Sequence, residues 1–206
     1  MIPRFGPESA LLVVDAQKGV NVLKHWGGPT GRRNNPHAEA RIGKLLARWR
    51  GAGLAVFFTA HDSREAASPL KLSLETGAFL PGLEPLAGET VLRKDVNSAF
   101  VGTPLEIELR RRRIDRIVVV GFFTNFCIET TARMANNLGF DTYVGHDACA
   151  TTNRIGLNGE DFEPELVHAM SLANMHREFC TAVSSETILE LIDRDLTSAS
   201  RQQGNE

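Results

Sequence analysis

Short blocks of unbroken apolar residues alternate along this chain with longer stretches whose apolar positions recur every three or four residues. That is the pattern of strands buried on both faces and joined by amphipathic helices, and it predicts a wound, mostly parallel sheet. Ala10 to Val14 predicts a first strand ending on Asp15, and Leu54 to Thr59 a second. Thr90 to Arg93 is a short third, Arg116 to Gly121 the fourth, Asp141 to Gly145 the fifth and Phe179 to Val183 the sixth. Between them, Ile42, Leu45, Leu46 and Trp49 lie on one helical stripe that closes at Gly51 and Gly53, with Asn35 as N-cap and Pro36 at the first helical position. Thr103-Pro104-Leu105-Glu106 has the form of a capping box and starts another helix. A helix from about Cys127, capped by Thr124 or Asn125, carries Thr130, Thr131, Met134, Ala135 and Leu138 on one face and stops at Gly139. Leu166, Ala169, Met170 and Ala173 mark a further stripe, and Ser185 can cap a last helix bearing Ile188, Leu191 and Ile192. With no repeat and no linker, the chain reads as one α/β domain over residues 1–197 and a polar, frayed tail over 198–206.

Composition narrows the function. A length of 206 residues suits one domain with a sizeable core. A formal net charge of −2 creates no strong field, so nucleic acid and anionic membranes are not expected partners. No apolar run approaches the ~20 residues that span a bilayer, and the start, Met1 to Pro7, lacks a secretion signal's apolar core. Three widely spaced cysteines are no disulfide framework. A reducing cytoplasm is expected, where a lone reactive thiol can persist.

In wound sheets, ligands bind beyond the carboxyl ends of the strands, beside the point where strand order reverses. With the order 3-2-1-4-5-6, the first and fourth strands flank that point. Asp15 follows the first strand, Lys94 the third and Cys127 the fourth. Taken singly, each has a bland reading: an acid that caps a loop, a solvated lysine, a buried structural cysteine. Together they supply what a thiol nucleophile needs, a base for its proton and a cation to hold the thiolate. A thiol in a helix's first turn also feels the positive end of the dipole, which lowers its pKa. The long segment His61 to Gly88 exceeds ordinary loop lengths and is expected to edge the pocket.

These residues carry a resemblance. Gly121 to Arg133, with Gly139-Phe140 and Asp147-Ala148, Leu12 to Gln17, and Arg93 to Phe100 resemble, in order, three motifs of the isochorismatase-like cysteine hydrolase superfamily. The likeness runs from about residue 10 to about residue 192. It implies a six-stranded Rossmann-like sheet, a catalytic triad of Asp15, Lys94 and Cys127, an oxyanion hole on the backbone N–H groups of Phe123 and Cys127, and a cis Phe122–Phe123 bond. It also implies a homodimer or homotetramer. Gln17, Trp26, His61 and Phe100 are the expected substrate-binding residues, while Phe100 could equally pack in the core. Arg32 and Arg33 read as solvated surface groups, or as partners for a carboxylate.

Two departures from the family pattern refine this. Ala60-His61-Asp62-Ser63 has one histidine where the family's metal-dependent nicotinamidases have two and an acid in another order, so no metal and no other cofactor is expected. His146, His168 and His176 lack metal-ligand spacing and read as structural. Isochorismatases proper, which cleave a vinyl ether, generally lack the cysteine. Cys127 therefore points to a small amide, carbamoyl or lactam substrate; a vinyl ether hydrolase using Asp15, or a silent binding protein, are the rival readings.

Overall fold

The computed structural model describes residues 4–192, so the expected tail at 198–206 lies outside the described residues. In chain order the elements are β1 (Ser9–Val14), α1 (Leu23–Gly27), α2 (Ala38–Gly51), β2 (Ala55–His61), β3 (Thr90–Lys94), α3 (Leu105–Arg111), β4 (Arg116–Phe122), α4 (Glu129–Asn137), β5 (Asp141–Ala150), β6 (Arg154–Ile155), β7 (Asp161–Phe162), α5 (Pro164–Met175) and β8 (Thr181–Val183), then a helix α6 at 185–192. Six strands form one sheet in the order β3-β2-β1-β4-β5-β8, and all its pairings are parallel. This is the expected order, with β8 as the sixth strand. The small antiparallel hairpin β6–β7 was not expected.

The apolar run in β1 is explained by two cores. Leu11 and Val13 pack with Ile42, Leu45 and Trp49 of α2 and Ile188 and Leu191 of α6. Ala10, Leu12 and Val14 face the other side, against Leu105 and Leu109 of α3, Ala132 and Ala135 of α4, and Met175 of α5. One glycine matters here. Gly121 has φ 124°, and a Cβ on it would stand 2.1 Å from the Val14 carbonyl oxygen, so only glycine lets β4 close on β1 beside Asp15.

Several local expectations are corrected. Asn35 does not cap α2: it takes φ 44° ahead of the helix, and its amide donates to the carbonyls of His146 and Cys149. Thr124 and Asn125 do not cap α4 either. Their side chains turn sideways, Thr124 to His168 Nδ1 at 2.8 Å and Asn125 to the Thr151 hydroxyl, and a single π-turn over Thr124–Ile128 leads into the helix. α4 buries Thr131, Ala132 and Ala135, while Thr130 is exposed. Ser184, not Ser185, caps α6, its hydroxyl accepting the Thr187 N–H at 3.1 Å. Leu166, Ala169, Met170 and Ala173 are exposed; α5 buries His168, Ser171 and Met175 instead. Apolar stripes identify a face, but only packing decides which face meets the sheet. Among the described residues no helix is long and apolar enough to cross a membrane.

Candidate active site

The sheet brings its chemistry together through register. Val14 pairs with Thr59 of β2 on one side and with Gly121 of β4 on the other, so Asp15 emerges between those strands. His61 pairs with Lys94 across β2–β3. Asp15 leaves β1 at φ 51°, in the left-handed region that residues with a Cβ seldom adopt. Thr59 holds it there: its hydroxyl accepts the Asp15 N–H at 3.0 Å and donates to Asp15 Oδ1 at 2.5 Å.

Lys94 is the hub. Its Nζ lies 2.6 Å from Asp15 Oδ2, 2.9 Å from His61 Nδ1, 3.3 Å from Cys127 Sγ and 3.2 Å from the Val96 carbonyl. Asp15 and Lys94 are buried, and the Cys127 thiol is 3.9 Å from both His61 Nδ1 and Asn97 Oδ1. Burial alone would push the Asp15 carboxyl up, but the Lys94 ammonium, helped by His61, holds it well below the usual carboxylate range. Burial likewise works against the Lys94 charge, yet Asp15 and Cys127 hold the lysine above its ordinary value.

The thiol departs from expectation. Burial first, and the adjacent Asp15 carboxylate second, push the Cys127 thiol up against the opposing pull of Lys94. Cys127 also sits in the π-turn before α4 rather than in the α-helix's first turn, which begins at Glu129. At rest the pair is therefore a neutral thiol beside a carboxylate, not a preformed thiolate. Burial, the largest cause, also raises the thiols of Cys149 and Cys180, but Cys127 is the cysteine that shares a cleft with Asp15 and His61.

That cleft, of about 220 Å³, is lined by Asp15, His61 and Cys127, by the aromatic rings of Trp26, Phe123 and Phe126, and by Ser63, Glu65, Ser68 and Leu70. The Phe122–Phe123 bond is cis. Trp26 is fixed by its Nε1–H to the Gly19 carbonyl at 2.9 Å and meets Phe123 edge-on.

Of the expected binding residues, Trp26 and His61 line the cleft; Gln17 and Phe100 do not. Gln17 is wholly buried, its amide donating to the carbonyls of His61 and Gly77 and accepting the His61 N–H at 2.8 Å. It clamps the end of β2 to the following loop. Gln17→Leu would strand three buried backbone groups, so a loss of about 3 kcal/mol is expected, read as a lowered midpoint in urea unfolding. Phe100 stacks on Phe140 at 5.8 Å, taking the core alternative. Arg32 is bound by Asp161 and Glu163, and Arg33 by Glu39, so neither is free for substrate. Thr59 and Asn97 were missed: a threonine in a strand gives no signal, and Asn97 lay inside the lysine motif unmarked.

An isochorismatase domain model matches residues 9–187. This chain belongs to the isochorismatase family. The uncharacterized isochorismatase family protein YrdC of Bacillus subtilis is 36% identical, over 88% of this chain and 95% of that protein. An isochorismatase-family crystal structure from Chromobacterium violaceum is 40% identical with a TM-score of 0.85, covering 91% of this chain and 95% of that one. Nicotinamidase 3 of Arabidopsis thaliana is 28% identical over 68% of this chain and 71% of its own length. The protein is thus an isochorismatase-family hydrolase.

Among the described residues of this isochorismatase-family protein, the candidate donor set for a metal is Asp15, His61 and Cys127, whose donor atoms lie within 4.8 Å of one another. The Lys94 ammonium already contacts all three. A dication among these donors would touch a cation, so this donor set does not suit a metal. Asp62, the acid next to His61 in the chain, pairs with Arg93 and accepts the Leu72 N–H at 3.0 Å.

Proposed function

We propose that this chain hydrolyses a C–N bond of a small amide, carbamoyl or lactam substrate through a thioester on Cys127, without a cofactor. The observation that carries the reading is one buried ammonium, Lys94, shared by an ionised carboxylate and a thiol at the floor of a cleft. A neutral thiol attacks only as its proton leaves, and Asp15, held ionised by Lys94, is the adjacent base. As the S–C bond forms, the proton passes from Sγ to Asp15 and the carbonyl oxygen takes up the charge. Backbone N–H groups of Phe123 and Cys127 receive that oxyanion, each such donor lowering the barrier by roughly 3 kcal/mol. Asp15 then gives its proton to the leaving nitrogen as the C–N bond breaks. Water attacks the thioester, Asp15 accepting its proton and returning it to Sγ, which frees a carboxylic acid and restores the site.

Trp26 and His61 shape the bound substrate. Relatedness to a nicotinamidase supports an amide as the reacting group. The vinyl ether alternative needs Asp15 as an acid, whereas Lys94 keeps it ionised at neutral pH. Three unbridged cysteines favour a reducing cytoplasm as the site of action.

The test is to trap the intermediate. Small amides are screened for release of ammonia or amine, and a slow substrate is quenched in acid during turnover. Digestion and mass spectrometry should find the acyl group on the peptide containing Cys127. Turnover under conditions that leave every cysteine peptide unmodified, with a substrate shown to accumulate its intermediate kinetically, would rule the thioester out.

A further inference from the structure

The floor of the cleft is electrically closed, because the Asp15 carboxylate and the Lys94 ammonium neutralise each other at 2.6 Å. Its mouth is not. Glu65 lines the cleft with its side chain 62% exposed, and His25 Nε2, its basic neighbour, is 3.9 Å away, at the limit of an ion pair. Neither arginine nor lysine is among the cleft-lining residues. Of the basic groups nearby, Arg64 is paired with Asp95, while Lys71 donates to the Ser63 carbonyl and Arg154 donates to the Trp26 carbonyl and lies over the face of Phe126; none of the three lines the cleft itself. The rings of Trp26, Phe123 and Phe126 line the same cleft as Glu65 and the thiol. Aromatic faces and a carboxylate around one cavity favour a cation and disfavour an anion.

We propose that Glu65 selects the charge of the substrate, so that the cleft takes amides whose remote end is positively charged and turns away those bearing a carboxylate. This deepens the hydrolase reading and rests on it for the word amide, but the charge selection itself needs only the cleft and the thiol. A unit charge at the mouth, in a partly solvated setting, should change the encounter of charged reagents with the thiol roughly fivefold.

The experiment uses methanethiosulfonates of similar size that end in a trimethylammonium or a sulfonate. Their rates with Cys127 are followed by mass spectrometry of the Cys127 peptide and divided by their rates with free cysteine. The wild-type protein should favour the cationic reagent roughly fivefold. Glu65→Gln should bring the ratio near unity, and Glu65→Lys should invert it. The ratio should fall in wild-type protein as salt is added. A ratio indifferent to both substitutions, or a preference for the sulfonate in wild type, would overturn the proposal. A matched amide series, cationic, neutral and anionic, then separates the two readings. Charge-ordered labelling without turnover of any amide would fault the hydrolase reading and leave Glu65's role standing. Amide turnover with labelling insensitive to Glu65 would do the reverse.

Discussion

Cys127→Ala is expected to lower turnover by about 10⁴-fold or more, on the scale seen when a covalent nucleophile is removed, while substrate binding persists. Cys127 is 6% exposed in the cleft, and the substitution takes one sulfur from a wall otherwise built of Asp15, His61, Asn97 and aromatic rings. The void is small, so the cost to stability should be about 1 kcal/mol, and the Asp15–Lys94 pair stays intact. Isothermal calorimetry on the variant should therefore register binding of an amide that the wild-type protein hydrolyses. Cys127→Ser should be nearly as inactive, because a hydroxyl is a far weaker nucleophile at this pH and keeps only the geometry. If Cys127→Ala turned over the same substrate at an undiminished rate, the chemistry would pass to Asp15, against the direction in which Lys94 pushes that carboxyl.

Lys94→Met is expected to damage stability and activity together, by one cause. Removing the ammonium leaves Asp15 buried without its counter-charge, which typically costs about 3–5 kcal/mol. In wild type, the depressed Asp15 carboxyl contributes stability that is complete above the ordinary carboxylate pKa, near 4, and is lost as the pH falls below it. The raised Lys94 group contributes below its ordinary pKa, near 10.4, and that part fades as the pH rises past the folded value. In the variant, burial loses its main opponent and Asp15 goes neutral at a higher pH. Urea unfolding should then show a deficit that is largest near neutrality and narrows towards pH 4. The acidic limb of kcat/KM should move upward, because a protonated Asp15 accepts no proton from the thiol. A stability difference that does not vary with pH would mean that Lys94 is merely packed there.

The fold was legible because its signal is local and repeated. The apolar runs of β1, β2 and β4 mark central strands by their length alone, and a parallel sheet follows from the helices between them. The stripe of α2 was legible for the same reason, with Ile42, Leu45, Leu46 and Trp49 all buried as expected. Caps and helix faces were less so. Asn35 and Thr124 have side chains suited to capping, but tertiary partners took them, and the apolar side of α5 faces away from the sheet.

Asp15, Lys94 and Cys127 could be chosen from sequence because each follows a strand that the wound order carries to one edge of the sheet. Which of their neighbours joined them depended on side-chain direction at the strand ends, and sequence spacing is silent on that. Gln17 and His61 were expected to serve alike, yet the Gln17 amide turned inward to bind backbone while the His61 ring faced the cleft. The state of the thiol was decided by tertiary structure as well. A helix start and a nearby lysine argue for thiolate when read along the chain. Burial and a carboxylate brought from residue 15 outweigh them, because in a desolvated site the charge held nearby sets the proton's place more strongly than local backbone dipoles do. Sequence determined which elements and which reactive groups this protein has; the fold decided their distances, and distances in a low dielectric decide charge.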